Sequence, residues 1–555
     1  MAKRVAKPAP KRALISVYDK NKIIELAAAL KSKNWDIIAT CGTAKHLRES
    51  EYKFEIISVE KITKYLEHLD GRVKTLHPAI HTGILARRNE KSHNDALKKF
   101  KIPTIDLVAV NLYPFTQKAA QNPPLTQDEL IDFIDIGGPA MLRSAAKNHN
   151  DVIVLCDPDD YDTIIQNIQA DKPISPELRR QLAAKTFNLT SAYDAAISQC
   201  LMNANTDTGA DNAGETETKF PPYYTVPLKL ENPLRYGENP QQKAALYINT
   251  GKQGAIAKME QLNGKELSYN NYRDIDIAWK AVCSFGLPEQ GLPALGADNT
   301  AKLLNFTEDN TLNACVAVKH NTPCGAALGK TLREAFEKTY SCDTESIFGG
   351  IAAFNATLDT ETAEKISPIF LEVVIAPDYE ETALEILRKK TKLRVMRAVS
   401  PPVERLESVS IDGALLVQEV NKTLFTKWET VTKTAVDERH IPDILFGLRT
   451  ALWVKSNAIV IVKDQSAIGI GGGQTSRILA AQQALRQAGM NPNKPARVLV
   501  SDAFFPFPDI VEAAAAAGIK TIVQSGGSNK DVDSIEMCDK HGITMIFTGA
   551  RYFKH

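Results

Sequence analysis

Two hydrophobic patterns alternate along the first third of the chain. Short runs of consecutive apolar residues are typical of buried strands, and the segments between them repeat apolar residues at the spacing of amphipathic helices. The strand segments are 13–17, 36–40, 106–112 and 152–156, and the helical segments include 22–29 and 43–48. Strands that alternate with helices predict an α/β fold with a parallel sheet covered on both faces.

A segment without large apolar residues interrupts this pattern. Ser175, Pro176 and Glu177 begin a helix that we expect to reach about Met202, and residues 203–218 then contain mainly Asn, Asp, Thr, Gly and Ala. Such a composition is typical of a linker. We therefore predict a first domain over 12–202, preceded by a disordered lead over 1–11.

The chain after the linker alternates again and contains a weak internal echo. Val318-Lys319-His320-Asn321-Thr322 is matched by Val454-Lys455-Ser456-Asn457-Ala458, and each follows an apolar run that we interpret as a strand. A duplicated α/β unit explains the echo. We predict two halves, 219–395 and 396–555.

Composition narrows the class of protein. The net charge of +1 argues against nucleic-acid binding, and no apolar run approaches the roughly 18 residues of a membrane span. The basic N-terminus lacks the apolar region of a secretory signal. The 8 cysteines form no Cys-x-x-Cys pair, which favours free thiols in a reducing cytoplasm and gives no zinc site.

The strongest chemical signal is the pair Lys319-His320 at the end of the apolar run 314–318. An imidazole exchanges protons near neutral pH, and an adjacent ammonium group stabilises a developing oxyanion. We expect Pro323 and Gly325 to form the turn that ends this strand.

Several turns in the first domain favour an anionic ligand. Residues 16–20 and 40–43 each join a predicted strand to a predicted helix, where free backbone N–H groups attract phosphate. The segment 71–78 adds two cations and a hydroxyl group. Arg143 and Lys147 share a helix face after Asp135. Together with Tyr113, these residues predict a pocket for a phosphorylated small molecule.

The second region offers polar turns and flat apolar side chains. The segments are 234–242, 346–350, 501–507 and the aromatic end 551–555. Residues 469–477 are glycine-rich, but no acidic residue follows at the spacing of a dinucleotide-binding fold, so we reject that interpretation.

Taken together, these motifs resemble the family of bifunctional AICAR formyltransferase/IMP cyclohydrolase enzymes of purine biosynthesis, from about residue 12 to His555. The resemblance implies a methylglyoxal-synthase-like first domain and two cytidine-deaminase-like halves without zinc ligands. It implies formyl transfer from the co-substrate formyl-tetrahydrofolate to AICAR, and then dehydrative ring closure of formyl-AICAR to IMP. It also implies a homodimer, small-molecule substrates and catalysis without a metal.

The same resemblance assigns residue roles. For formyl transfer it implies His320 as the base, Lys319 at the oxyanion and Asn457 at the formyl oxygen. For ring closure it implies the catalytic residues Lys74, Tyr113, Asp135 and Lys147. The implied binding residues are Ser16, Lys20, Thr40, Gly42, Thr43, Arg72 and Thr75 in the first domain, and Arg235, Tyr236, Phe348, Gly349, Glu372, Arg477, Phe504, Arg551 and Phe553 in the second. In the family's phosphate loop, this chain has Cys41 where the family usually has a glycine.

Three alternatives stay open from the sequence. A zinc nucleobase deaminase would need ligand cysteines at the right spacing. A non-catalytic nucleotide sensor, or a transformylase whose N-terminal domain is impaired or regulatory, would not need Lys74, Asp135 and Lys147 together. A metal assay tests the deaminase, and steady-state turnover of formyl-AICAR tests the sensor. The most useful single experiment is a paired assay of both activities on the purified chain.

Overall fold

The computed structural model describes residues 10–555 apart from 67–68, 70–72, 122, 124, 204–219, 251–253, 287–311 and 490–497. The chain divides into two compact units, Met1–Lys229 with Asn249–Lys252, and Leu230–Ile248 with Gln253–His555. Asn203, the first residue of the predicted linker, belongs to helix α10, and the rest of the linker and nearly all of the predicted lead lie outside the described residues.

The first unit is built on five strands. They are β1 Arg12–Val17, β2 Asp36–Ala39, β3 Ile57–Ser58, β4 Leu107–Asn111 and β5 Ile153–Leu155. Its helices are α1 Ile23–Ser32, α2 Cys41–Glu49, α3 Val59–Thr63, α4 Pro78–Leu85, α5 Lys91–Phe100, α6 Phe115–Ala119, α7 Gln127–Ile131, α8 Gly137–Lys147, α9 Tyr161–Gln169 and α10 Pro176–Asn203. The predicted strands and the long helix that Ser175 caps are confirmed.

The sheet of the first unit is parallel, with strand order β3-β2-β1-β4-β5. Its central strands are almost entirely buried, as their unbroken apolar runs predict. The chain passes from β1 outward to β3 and then returns to β4 on the other side of β1. The carboxyl ends of β1 and β4 therefore form a topological switch point, where open α/β sheets bind ligands.

The second unit contains the remaining strands. They are β6 Leu228–Leu234, which begins at the unit boundary, β7 Ala244–Asn249, β8 Glu260–Asn263, β9 Asn313–Lys319, β10 Thr322–Gly329, β11 Ile351–Phe354, β12 Val373–Ala376, β13 Arg394–Arg397, β14 Leu406–Ile411, β15 Ala414–Glu419, β16 Glu429–Thr430, β17 Ile459–Lys463, β18 Ser466–Gly471, β19 Val498–Ser501, β20 Thr521–Gln524 and β21 Thr544–Phe547. Its helices are α11 Ala255–Lys258, α12 Tyr269–Cys283, α13 Leu332–Cys342, α14 Thr360–Ile366, α15 Glu381–Arg388, α16 Ile441–Ala451, α17 Arg477–Gly489, α18 Asp509–Ala516 and α19 Asp531–His541.

Twelve of these strands form one sheet, in the order β16-β21-β20-β19-β17-β18-β10-β9-β11-β12-β13-β8. Counted outward from the central antiparallel pair β10 and β18, the two sides match strand for strand. Each side has an antiparallel hairpin, an antiparallel neighbour, two parallel strands and an antiparallel edge strand. This repeated topology agrees with the predicted duplication.

The structure corrects the register of the internal echo. Residues 454–458 lie between α16 and β17, so the apolar run before them is the end of a helix, and our strand interpretation is wrong. By topology, the counterpart of the turn from Lys319 to Thr322 is the turn from Lys463 to Ser466.

The structure also corrects the turn after Lys319. His320 and Asn321 make this turn with φ angles of 54° and 60°. Pro323 and Gly325 lie within β10, at an irregularity in its pairing with β9. The two-residue loop has the left-handed backbone of a tight hairpin turn, a conformation that the sequence did not predict without glycine.

Candidate active sites

The carboxyl edge of the first sheet gathers most of the predicted first-domain residues. The segments after β1, β2 and β4 contain Lys20, Thr43 and Tyr113 respectively, and these three strands are neighbours in the sheet. Parallel strands end at the same edge, so residues far apart in sequence meet there.

Hydroxyl groups link the first two of these segments. The hydroxyls of Ser16 and Thr40 lie 3.0 Å apart. Thr43 Oγ1 accepts the N–H of Val17 and donates to its carbonyl oxygen, each at 3.1 Å. The segment 40–43 and the end of β1 are thereby held together.

Lys20 supplies a cation at this edge. Its Nζ donates to the carbonyl oxygens of Val17 and Tyr18. Burial lowers the pKa of Lys20, and the charge of Asp19 opposes that effect. Gly42, in the first turn of α2, has open space around the position of a Cβ, so its backbone is accessible to a ligand.

Tyr113 and Asp135 are brought together at the other side of β1. The Tyr113 ring contacts the Tyr18 ring edge-on at 5.7 Å between centroids. The Asp135 carboxylate accepts backbone N–H groups from Gly138, at 2.7 Å, and from Tyr113. Burial raises the pKa of Asp135, and these two bonds oppose the rise. A half-buried carboxylate with a raised pKa is suited to proton transfer.

The segment after Gly71 contributes to the same edge through Thr75. Its hydroxyl oxygen lies 2.7 Å from the position that a Cβ on Gly137 would occupy, so this glycine permits the approach. Lys74 is adjacent and partly buried. The predicted binding residue Arg72 lies outside the described residues.

Lys147 does not join this constellation within one chain. Asp135 precedes the start of α8 and Lys147 is its last residue, so the helix separates them by roughly 15 Å at 1.5 Å per residue. Lys147 instead lines a cavity of about 670 Å³ with Arg143, His149 and Arg180.

In the second unit, Lys319 and His320 stand at the tip of the β9–β10 hairpin. The Lys319 ammonium donates to the carbonyl oxygen of Phe348 at 2.7 Å, and the His320 side chain is exposed. Strand β11 begins beside this tip, so Phe348 and Gly349 lie in the adjoining segment. Gly349 has a φ of 72°, a conformation that favours glycine.

Glu372 lies one strand further along the same edge. It forms an ion pair with Arg394 at 2.7 Å, and its N–H donates to Gly350. The exposed Phe348 ring packs on Phe370 at 5.0 Å. An aromatic face, a glycine and a carboxylate therefore lie along the same sheet edge as the Lys319–His320 tip.

A second cluster forms around Asn457, just before β17. Arg477 Nη1 donates to Asn457 Oδ1 at 2.7 Å, and Arg477 Nη2 pairs with Asp502 at 2.9 Å. The side chains of this ion pair are only 5% and 0% exposed. Burial raises the pKa of Asp502 and lowers that of Arg477, while their mutual attraction opposes both shifts.

The C-terminal residues pack onto this cluster. Tyr552 is 1% exposed, and its N–H donates to the carbonyl oxygen of Asp502 at 2.8 Å. The Arg551 guanidinium lies 4.7 Å from the centre of the Phe504 ring, and Arg477 lies 5.9 Å from that of Phe553. The end of the chain is therefore structured and adjoins the Asn457 cluster.

Arg235 and Tyr236 lie in a tight polar turn. The N–H of Gly237 donates to Gln242, and the Arg235 guanidinium lies 5.7 Å from the Tyr236 ring centre. Glu238 of this turn pairs with Arg273 on α12. The turn is thereby tied to the helix that packs beneath β9.

The His320 tip and the Asn457 cluster share one edge of the large sheet. Ala327 of β10 pairs with Ser466 of the antiparallel strand β18. The Thr322 end of β10 therefore lies beside the Gly471 end of β18. Strands β9 and β17 are three spacings apart, roughly 14 Å. No hydrogen bond, ion pair or ring contact joins His320 to Asn457 among the described residues.

Sequence reasoning missed the residues that orient these groups. Asp502 lies in the segment 501–507, which the sequence marks only for its aromatic residues, although an acidic residue directly after a buried strand signals an edge site. Ser456 donates to Asp502 at 2.6 Å and accepts the N–H of Lys554, which no local pattern indicates.

The described residues contain no group of three or more His, Cys, Asp or Glu side chains placed to hold a metal ion. None of their helices is both long and apolar enough to cross a membrane. All eight cysteines are free thiols.

Two family models match the chain. The model described as "AICARFT/IMPCHase bienzyme" matches residues 145–487, and the model described as "MGS-like domain" matches residues 22–140. The second match contains strands β2, β3 and β4 of the first unit's sheet.

Curated relatives match over nearly the whole chain. The bifunctional purine biosynthesis protein PurH of Clostridium botulinum (strain Kyoto / Type A2) is 48% identical over 545 residues, which cover 98% of this chain and 100% of the relative. The protein of the same name from Clostridium perfringens (strain SM101 / Type A) has the same identity and coverage. A solved structure titled "Crystal structure of ForH" is 36% identical, covers 35% of this chain and 98% of its own, and has a TM-score of 0.31.

Proposed function

The chain belongs to the AICARFT/IMPCHase bienzyme family, and we propose that its two units divide the two reactions of that bienzyme between them. It is a bifunctional enzyme of purine biosynthesis, with AICAR formyltransferase and IMP cyclohydrolase activities. The second unit transfers the formyl group, and the first unit, which contains the MGS-like domain, closes the ring. The comparisons lend no support to an impaired first unit.

Formyl transfer begins with attack of the AICAR 5-amino group on the formyl carbon of the co-substrate, formyl-tetrahydrofolate. That amine is conjugated to the ring and is a poor nucleophile, so His320 removes its proton. Lys319 stabilises the tetrahedral oxyanion, and Asn457 holds the same oxygen. Collapse of the intermediate breaks the bond to the folate nitrogen, which takes up a proton.

The remaining side chains of this edge bind the two substrates. Arg477 presents its guanidinium from a buried position where Asp502 and Asn457 fix its orientation. We propose that AICAR contacts Arg235, Tyr236, Arg477 and Arg551. The nucleotide or the folate co-substrate contacts Phe348, Gly349, Glu372, Phe504 and Phe553.

Ring closure takes place at the carboxyl edge of the first sheet. The carboxamide nitrogen of formyl-AICAR attacks the formyl carbon of the same molecule, and water leaves. An oriented intramolecular attack contributes about 7–11 kcal/mol, so holding the substrate supplies much of the catalysis. Asp135, Tyr113 and Lys74 move protons, while Ser16, Lys20, Thr40, Gly42, Thr43, Arg72 and Thr75 bind the nucleotide.

Lys147 requires a separate measurement, because α8 holds it away from Asp135. If Lys147→Ala lowers the rate of ring closure as strongly as Asp135→Asn, the predicted catalytic role stands. An unchanged rate would assign Lys147 to the cavity it lines.

The observation that carries the transferase proposal is the exposed Lys319–His320 tip, where a cation and a proton acceptor face one edge. His320→Ala should lower formyl transfer by roughly 10²–10⁴-fold. Transfer above about a tenth of the original rate would contradict the assignment of His320 as the base.

The family resemblance also supports a homodimer whose transfer sites are shared between chains. Mixing inactive His320→Ala and Asn457→Ala chains tests this arrangement. Sites shared across an interface would regain activity in mixed dimers, whereas sites within one chain would regain none. Light scattering of the purified protein reports its mass independently.

We further propose that the enzyme works in the cytoplasm. Its eight free thiols fit a reducing compartment. Cell fractionation with an antibody to the chain tests this location.

A further inference from the structure

The duplicated sheet contains two hairpin turns of the same unusual kind. His320 and Asn321 have φ angles of 54° and 60°, and their counterparts Asp464 and Gln465 have φ angles of 51° and 54°. A left-handed backbone is unfavourable for residues other than glycine. Four such residues at matching places indicate that the surrounding structure holds each turn.

An aspartate near the start of a helix holds each turn. In the second half, Asp443 of α16 accepts the N–H groups of Asp464, at 3.1 Å, and Gln465, at 2.6 Å. In the first half, Asp274 of α12 accepts the N–H of Asn321 at 2.6 Å and also that of His320. Hydrogen bonds to a carboxylate are strong, so they stabilise the left-handed turn.

Helix α12 also holds neighbouring parts of the edge. With its amide group oriented to satisfy its partners, Asn321 donates to the carbonyl oxygen of Arg273 at 3.1 Å and accepts from its guanidinium at 3.2 Å. Arg273 pairs with Glu238, and Asn270 donates to the Glu238 carbonyl oxygen at 3.2 Å. One helix thus fixes both the His320 turn and the turn that contains Arg235.

We propose that Asp274 is the positioning residue that holds the His320–Asn321 turn, and with it the His320 imidazole, in the geometry that formyl transfer requires. The inference rests on the proposed role of His320 as the base. Burial raises the pKa of Asp274, while the Asn321 N–H and the charge of His320 act to lower it. The second half keeps the aspartate and the turn but has no histidine there.

A double-mutant cycle tests this role. In the full chain, Asp274→Asn should lower the kcat of formyl transfer by about 10- to 100-fold, as expected for a misplaced catalytic group. In the His320→Ala background the same change should alter the residual rate by less than about 2-fold, because Asp274 acts through His320. A purely structural role would reduce the rate equally in both backgrounds and would overturn the proposal.

Asp443→Asn is the matched control, since it weakens the equivalent turn of the other half. It should lower the melting temperature while leaving kcat within about 2-fold. An equal loss of kcat in Asp443→Asn would show that loosening either hairpin suffices and would contradict a specific role for Asp274. If His320→Ala itself retains transfer, the proposed base is wrong, whereas loss in His320→Ala with no effect of Asp274→Asn refutes only the positioning role.

Discussion

At the scale of single residues, three aspartates, two half-buried and one fully buried, hold neighbouring segments in place. Asp135, Asp274 and Asp502 each accept backbone or side-chain donors from distant segments, and burial raises the pKa of each. Their effects on activity and stability differ because their partners differ.

The raised pKa of Asp135 predicts the pH dependence of ring closure. If the ionised carboxylate is required, activity falls as the pH drops through the folded-state pKa, which burial places above the ordinary 3.8. The kcat of ring closure, measured across pH with formyl-AICAR, should show this acid limb. Asp135→Asn should remove the limb, and its survival in that variant would assign it to another group.

The buried ion pair between Asp502 and Arg477 predicts that loss of Asp502 strongly lowers the free energy of unfolding. Asp502→Ala leaves the Arg477 charge buried without its partner, which typically costs about 3–5 kcal/mol. The control is Glu372→Ala, whose ion pair with Arg394 is more exposed and is expected to contribute about 0–1 kcal/mol. Urea unfolding of the second unit measures both, and similar losses would contradict the buried pair as the stronger anchor.

The sequence predicted the chemical groups of the sites better than their supports. Lys319, His320 and Asp135 stand at strand or helix ends, where local patterns reveal them. Asp274 meets its turn 47 positions along the chain, and Ser456 meets Asp502 at a separation of 46. Only the paired strands and packed helices bring such partners together, so no local pattern indicates them.

At the scale of elements, apolar runs located the parallel strands well, because strands buried on both faces contain few polar residues. Residues 451–454 misled the same reasoning, since a buried helix end is as apolar as a strand.

The glycine-rich segment after Ser466 has a packing explanation. A Cβ on Gly469 or Gly471 would collide with the backbone of α17, so these glycines let strand β18 approach the helix.

The contacts of the C-terminal segment predict that its removal impairs formyl transfer. Removing Arg551 to His555 deletes buried Tyr552 and the backbone bonds to Ser456 and Asp502. Formyl transfer should be lost while ring closure persists, although terminal residues are usually dispensable. Steady-state kinetics decide the matter, and an unchanged AICAR KM and kcat would remove this segment from the site.

At the scale of the whole molecule, the two halves of the second unit have the same topology but different chemistry. The first half retains the Lys–His tip, and the second retains the Asn457 cluster. The echo in the sequence suggested duplication from the wrong register, because five residues are too few to align two halves that have diverged. The repeated order of strands, rather than the five residues, relates the two halves to each other.

Separate units predict separable fragments. Cleavage within 203–218 should yield a first fragment that closes formyl-AICAR, since its candidate site residues lie before residue 150. Gln199 donates to Thr225 at 2.6 Å, so a fragment that ends at Lys229 is the matched comparison. If neither fragment closes the ring while the intact chain does, the first unit is not sufficient for this reaction.

The assignment of one reaction to each unit is tested most directly by assaying both activities in His320→Ala and Lys74→Ala. We predict that His320→Ala loses formyl transfer and closes supplied formyl-AICAR at the original rate, and that Lys74→Ala does the reverse. Circular dichroism of each variant verifies folding. Loss of both activities in either folded variant would contradict the account.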